Sequence, residues 1–199
     1  EPSRGLGDVY KRQYPFLSVH RYSNDHGYHA SVSKNYSHFV ANGEVLLNLD
    51  VDNFINEKEI MLIQDAFGEF PDGCIFQLWN GVKRNGGFGK ICYRRDQFLE
   101  IGGYDESFFP AGYQDVDLIE RLKAQFKIPL LSTEWIEKKI NLSREEFPFP
   151  KPIQNSYKEK TENVRCELNW AEMEKENRLM SKRRMKPVSY THLRAHETA

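Results

Sequence analysis

The sequence predicts an α/β domain with a mostly parallel sheet flanked by helices, and three observations point to it. Helix-like and strand-like patterns alternate between about residues 31 and 125, the order found in α/β domains. The stretch from Glu44 to Asp52 carries a near-continuous apolar run, Val45-Leu46-Leu47 with Leu49 and Val51, which reads as a strand covered on both faces. That strand closes on Asp50-Val51-Asp52, and ligands of open α/β sheets sit beyond the carboxyl ends of strands.

The elements follow in order. Residues 31–42 read as a helix, with Val32, Tyr36, Phe39 and Val40 on one face and Gly43 as its stop. After the acidic strand, a helical pattern runs from Glu57 to Phe67. A second strand is expected at Gly73 to Leu78, followed by the glycine-rich loop Asn80 to Gly89. A third, Lys90 to Arg94, leads into a helix that Asp96 is placed to cap and Gly102-Gly103 to end. A further helix begins near Asp115 and buries Leu118, Ile119 and Leu122. Prolines 148, 150 and 152 then mark an extended crossing segment. Residues 151–186 form a charged C-terminal helical extension, patterned around Leu168, Trp170, Ala171 and Met173, whose Lys182-Arg183-Arg184 end reads as a solvated terminus. There is no internal repeat.

Both ends of the 199-residue chain look foreign to this pattern. Residues 1–13 and 187–199 resemble translated adapter sequence and are set aside as non-native tails. These tails carry four basic and three acidic residues, so the net charge moves only from −1 to −2 without them. Such a balance argues against a nucleic-acid binder, which shows a basic excess. What remains suffices for one domain with a core, residues 14–150, expected to be incomplete at its N-terminus. The three cysteines, Cys74, Cys92 and Cys166, form no Cys-x-x-Cys pair and suit a reduced, cytoplasmic setting. No apolar run approaches the roughly 18 residues that cross a bilayer.

Asp50 and Asp52 carry the clearest chemistry. In an extended backbone they project to one face, where two carboxylates about 6 Å apart repel by about 3 kcal/mol at an effective dielectric of 20. A bound cation reverses that cost, and hard divalent ions choose oxygen ligands, with substrate phosphates filling the remaining positions. A calcium loop opening at Asp50 would need Gly and Glu where the chain has Ile55 and Met61. The plain alternative is a pair of polar residues ending a strand.

Farther on come Gly102-Gly103-Tyr104-Asp105-Glu106 and Gln114-Asp115-Val116-Asp117-Leu118. Together with Ser33-Lys34-Asn35, Asp50-Val51-Asp52 and the glycine-rich loop, this ordered set resembles nucleotide-sugar glycosyltransferases of the GT-A (Rossmann-like) fold. The likeness is to the family-two inverting enzymes and the galactosyltransferase carboxy-terminal segment, and covers roughly residues 20 to 125. It implies Mn²⁺ or Mg²⁺ on Asp50 and Asp52, and a donor site formed by Lys34, Asn35, Asp50 and Asp52. It also implies Asp115 as catalytic base, and an acceptor side shaped by Gly87, Gly103, Tyr104, Asp105 and Asp117. The segment Gly86 to Gly89 resembles a mobile lid.

The implied reaction is metal-dependent transfer of a sugar, with inversion, from a nucleotide-sugar donor such as a UDP-sugar to a glycan acceptor hydroxyl. The expected setting is surface polysaccharide biosynthesis, in the cytoplasm or at the inner face of the cell membrane. Two departures favour an alternative, a non-catalytic GT-A-like domain that binds nucleotide sugar or glycan. Relatives carry Glu-Asp where this chain has Gln114-Asp115, and several add a downstream metal-binding His, whereas here no histidine lies between His38 and the C-terminal tail set aside above. Simpler roles also stand beside each assignment: Asp115 as a helix cap, Asp117 as a charge favouring the helix dipole, Lys34 and Asn35 as exposed helix residues, and Trp79 as core rather than a sugar platform.

Overall fold

The computed structural model describes residues 16–18, 27–50, 53–77, 90–131, 133–140, 164 and 166–184. Asp52, Trp79, the loop containing Gly87, the proline-rich segment and both foreign-looking tails lie outside them. The elements are α1 (Ala30–Val40), β1 (Val45–Leu49), α2 (Glu57–Glu69), β2 (Ile75–Gln77) and β3 (Lys90–Arg94), then α3 (Arg95–Glu100), α4 (Gln114–Phe126), β4 (Leu130–Leu131), α5 (Thr133–Ile140) and α6 (Trp170–Arg184).

The four strands form a mixed sheet in the order β1-β3-β2-β4. Among the described residues, β3 runs antiparallel to both β1 and β2, and only β2 and β4 are parallel. The expectation of a mostly parallel sheet is therefore corrected to a mixed one. Apolar patterning specifies which residues of a strand face a core, but carries no information on strand direction.

Register explains the core. Leu46 stands opposite Tyr93 while Leu47 stands opposite Cys92, so successive residues serve opposite faces of the sheet. One face joins Leu46, Ile75, Ile91 and Tyr93 to Phe98 of α3 and to Leu118, Ile119 and Leu122 of α4. The other joins Phe76, Cys92 and Leu131 to Leu62, Ala66 and Phe67 of α2 and Ile136 of α5. Each fully buried large side chain contributes about 1.5–3 kcal/mol relative to exposure. β3 is covered on both faces, with Lys90, Ile91, Cys92 and Tyr93 wholly buried. β1 lies at the end of the strand order, and Leu49 is 39% exposed, so the two-sided burial expected of β1 belongs instead to β3.

Helix boundaries have local causes. α2 opens on a reciprocal capping box, Asn56 accepting from the Glu59 N–H and Glu59 accepting from the Asn56 N–H, which satisfies two otherwise orphaned donors. Glu59 also receives the ammonium of Lys90 at 2.8 Å, with both side chains fully buried. α1 ends at Ala41 in an extended conformation rather than at Gly43. Its buried face is also not the apolar one. Ala30, Ser31, Asn35 and His38 point inward, while Tyr36, Phe39 and Val40 are 40–47% exposed.

α6 buries Met173, Asn177 and Ser181, and the Asn177 amide ties it to the loop before α4. The side chain of Asn177 donates to the carbonyls of Phe109, Ala111 and Gly112 and accepts from the Phe109 N–H. The Lys182-Arg183-Arg184 end is exposed as expected, and from there Arg184 pairs with Asp105 and donates to the Ser107 hydroxyl at 2.8 Å. Among the described residues no helix is long and apolar enough to cross a membrane.

Candidate functional site

The inward-turned polar face of α1 builds the site. Asn35, 2% exposed, brackets Tyr104 by accepting from its backbone N–H at 2.7 Å and donating to its carbonyl at 2.9 Å. Its amide nitrogen also donates to Glu106 Oε1 at 2.8 Å. One turn of chain is thereby fixed against a helix 69 residues away. Gly103, with φ of 72°, makes this approach possible, because a Cβ there would lie 2.5 Å from Asn35 Oδ1.

Fixing Tyr104 aims its ring. Its hydroxyl donates to Asp115 Oδ1 at 3.1 Å, and Lys34 Nζ donates to both oxygens of Asp115, at 2.7 and 3.0 Å. The same ammonium lies 3.5 Å from Asp50 Oδ1 and 5.4 Å from the centroid of the Tyr104 ring. Asp115 sits in the first turn of α4, yet its carboxylate is directed at Lys34 and Tyr104. The cap position belongs to Tyr113, which makes no side-chain cap bond. Tyr113 adopts a left-handed backbone, φ 68°, a conformation that costs a non-glycine residue on the order of 1–3 kcal/mol and collects at functional sites. The guanidinium of Arg178 on α6 lies over its ring at 5.7 Å.

Exposure grades outward from this centre. The side chains of Lys34, Asp115 and Asp50 are 10%, 15% and 28% exposed, so the cluster meets solvent on the Asp50 side. Burial raises the proton affinity of Asp115 and the charge of Asp50 adds to it; together they outweigh the lowering by Lys34. Burial works to lower Lys34, but the carboxylates of Asp115 and Asp50 prevail and raise it. Asp50 and Asp115 thus meet at the Lys34 ammonium in a poorly solvated place. Behind it, burial pushes the Tyr104 and Tyr93 phenols well above their ordinary value, and burial lowers His38.

The remaining expected residues fall in different places. Asp105 pairs with Arg184 and accepts from the Ser107 N–H and hydroxyl. Asp117, 3% exposed, holds Arg121 at 2.7 Å, and Arg121 in turn donates to the carbonyls of Ile101 and Gly103. These two carboxylates therefore brace the loop that carries Tyr104. Asp52 and Gly87 lie outside the described residues. Among those described, no group of three His, Cys, Asp or Glu side chains is arranged to hold a metal; Asp50 supplies a hard, partly exposed oxygen donor of the type that suits Mg²⁺ or Mn²⁺.

Residues that local sequence reading misses complete the surroundings. His38 and Tyr93 stand behind Tyr104. Asn48 Nδ2, two residues before Asp50, and Gln114 Oε1, next to Asp115, are buried and meet no partner among the described residues. An Asn inside an apolar strand is itself the signal that could have found the first. A groove of about 860 Å³ flanks α1 and β1, lined by Ser33, Tyr36, His38, Val40 and Leu47 among others. Lys34, Asp50 and Asp115 do not line it. Comparison of this chain with protein-family models, with curated proteins and with solved structures finds no match.

Proposed function

We propose that this chain is an inverting, metal-dependent glycosyltransferase of GT-A type, which moves a sugar from a nucleotide-sugar donor to a glycan acceptor hydroxyl in surface polysaccharide biosynthesis. The observation that carries this reading is the triad in which Lys34 bridges Asp50 and Asp115. The carboxylate at the end of β1 and the one opening α4 thus belong to a single site, and with them three of the motifs on which the resemblance rests.

Asp115 is suited to general-base work. It is oriented by Tyr104 and Lys34, and its proton affinity is raised by burial and by Asp50, which brings a carboxylate nearer to the working range of a base at neutral pH. In this reading it takes the proton of the acceptor hydroxyl as the oxygen attacks the anomeric carbon, and a single displacement with no covalent intermediate inverts that carbon. Lys34 holds the base in place and offsets charge on the donor side. Asp50 and Asp52 would hold Mn²⁺ or Mg²⁺, which supplies electrostatic stabilisation of the departing diphosphate. The cytoplasm or the inner membrane face would supply nucleotide sugar to such an enzyme.

One observation favours a second reading, a nucleotide-sugar or glycan-binding domain without turnover. Lys34 contacts both oxygens of Asp115 and the Tyr104 hydroxyl takes a further lone pair of Oδ1, which leaves the carboxylate less open to an acceptor hydroxyl. Incubating the full chain with a panel of nucleotide sugars and manganese separates the two. Release of nucleoside diphosphate supports the transferase, whereas manganese-dependent UDP binding in calorimetry with no release from any donor supports the binding domain. Binding of UDP that is indifferent to manganese counts against the metal role of Asp50 and Asp52.

A further inference from the structure

Three buried side chains form a line behind Asp115. The Tyr104 hydroxyl lies 3.1 Å from Asp115 Oδ1, the Tyr93 and Tyr104 oxygens are 3.4 Å apart, and His38 Nε2 lies 2.9 Å from the Tyr93 oxygen. Tyr93, Tyr104 and His38 are 0%, 2% and 6% exposed, so bulk solvent has little access to the line. The other ring nitrogen of His38, Nδ1, lies 2.6 Å from the Lys34 carbonyl. A carbonyl oxygen only accepts, so Nδ1 must carry a hydrogen, and in the neutral ring Nε2 carries none. The Tyr93 hydroxyl therefore donates to Nε2.

Counting hydrogens shows what this line lacks. The three contacts can hold three hydrogens, and the two phenols supply two. With Asp115 ionised and His38 neutral, Tyr104 donates to Asp115 and Tyr93 to Nε2, and the 3.4 Å pair of phenol oxygens between them holds no hydrogen, so the line has room for one more. One added proton completes the line from either end. Placed on Asp115, it lets Asp115 donate to Tyr104, Tyr104 to Tyr93, and Tyr93 to His38. Placed on His38 Nε2, it reverses every donor, and Tyr104 donates to an ionised Asp115.

We propose that Asp115, Tyr104, Tyr93 and His38 hold one titratable proton in common, His38 and the two tyrosines acting as positioning residues that retain inside the fold the proton the base accepts. The transfer balances. The O–H bond of the acceptor breaks and its hydrogen joins Asp115; the Asp115 hydrogen passes to Tyr104 as the Tyr104 hydrogen passes to Tyr93 and the Tyr93 hydrogen to Nε2. The end state has an Asp115 carboxylate, two neutral phenols and a His38 imidazolium. Other charged groups set the balance between the two ends. Lys34 faces Asp115 and also opposes charge on His38, while Asp50 repels charge on Asp115. From β3 and the loop after α3 only the two phenols join the line, and Phe98 of α3 packs against the imidazole at 5.1 Å.

The inference rests on the reading of Asp115 as a base, but its test needs no turnover, so the two fail separately. The test is ¹⁵N-histidine NMR on the full chain across a pH titration. Neutral His38 is expected as the Nδ1–H tautomer, and Asp115→Asn should lower the His38 midpoint by on the order of one pH unit. In a Tyr104→Phe background, where the line is cut, the same substitution should leave the midpoint in place; Tyr93→Phe serves if that variant does not fold. A neutral His38 protonated at Nε2, an unmoved midpoint in Asp115→Asn, or an equal shift in the cut background would each overturn the proposal.

Discussion

Asp50 and Asp115 face one another across a single ammonium: Lys34 Nζ lies 3.5 Å from the first and 2.7 Å from the second. Two segments far apart in the chain therefore meet through a side chain that originates on a third.

Removing that ammonium should be costly. Lys34→Met leaves two poorly solvated carboxylates facing each other, and breaking one partner out of a buried pair destabilises by about 3–5 kcal/mol. The upper figure is discounted here because Asp50 is partly exposed. The raised pKa of Lys34 means its contribution is fully present below its ordinary value and is lost as pH rises through the folded value. Asp115, also raised, binds its proton more readily folded than unfolded. The deficit of Lys34→Met should thus be large at pH 7 and shrink as pH falls and Asp115 protonates. Urea denaturation of both proteins at pH 7 and 4.5 measures it; an equal deficit at the two values would contradict the assignment.

The bracket on Tyr104 makes a separate prediction. Gly103→Ala places a Cβ at positive φ and in collision with Asn35 Oδ1, so it should destabilise by more than about 1 kcal/mol. Asn35→Ala strands the Tyr104 backbone groups, at about 1–3 kcal/mol for each buried group left unmade. Because both changes act on one contact, the double variant should lose less than the sum. Additive losses in a denaturant cycle would show that Gly103 and Asn35 do not act together.

Beneath the sheet, Glu59 and Lys90 form a pair with no exposure. Lys90→Met alone leaves an uncompensated buried carboxylate and should cost about 3–5 kcal/mol, whereas pairing it with Glu59→Gln should recover part of that loss. Thermal unfolding of the single and double variants checks this, and a double variant less stable than the single would refute it.

The sequence revealed the parts of this site more readily than their arrangement. The helical pattern from Glu57, the apolar run from Glu44 and the acidic start near Asp115 announce the beginnings of α2, β1 and α4 within one residue of where they lie, because periodicity is a local property. Strand direction escaped, since β3 could be placed between β1 and β2 only by knowing the sheet. The helix α1 misled for the same reason. Its apolar residues Tyr36, Phe39 and Val40 look like the buried face, but Asn35, His38 and Lys34 find partners 55 to 81 residues away. Long-range hydrogen bonds of that kind leave no periodic trace. Asp115 could be singled out by its neighbours in sequence, whereas Tyr93 and His38 became visible only through contacts.

The most direct measurement is turnover of Asp115→Asn beside the unaltered chain, with manganese and whichever nucleotide sugar the latter consumes. A fall in kcat of about 10² to 10⁴ with UDP affinity retained is expected, since the substitution removes a proton acceptor and little else. Undiminished turnover in Asp115→Asn would contradict it.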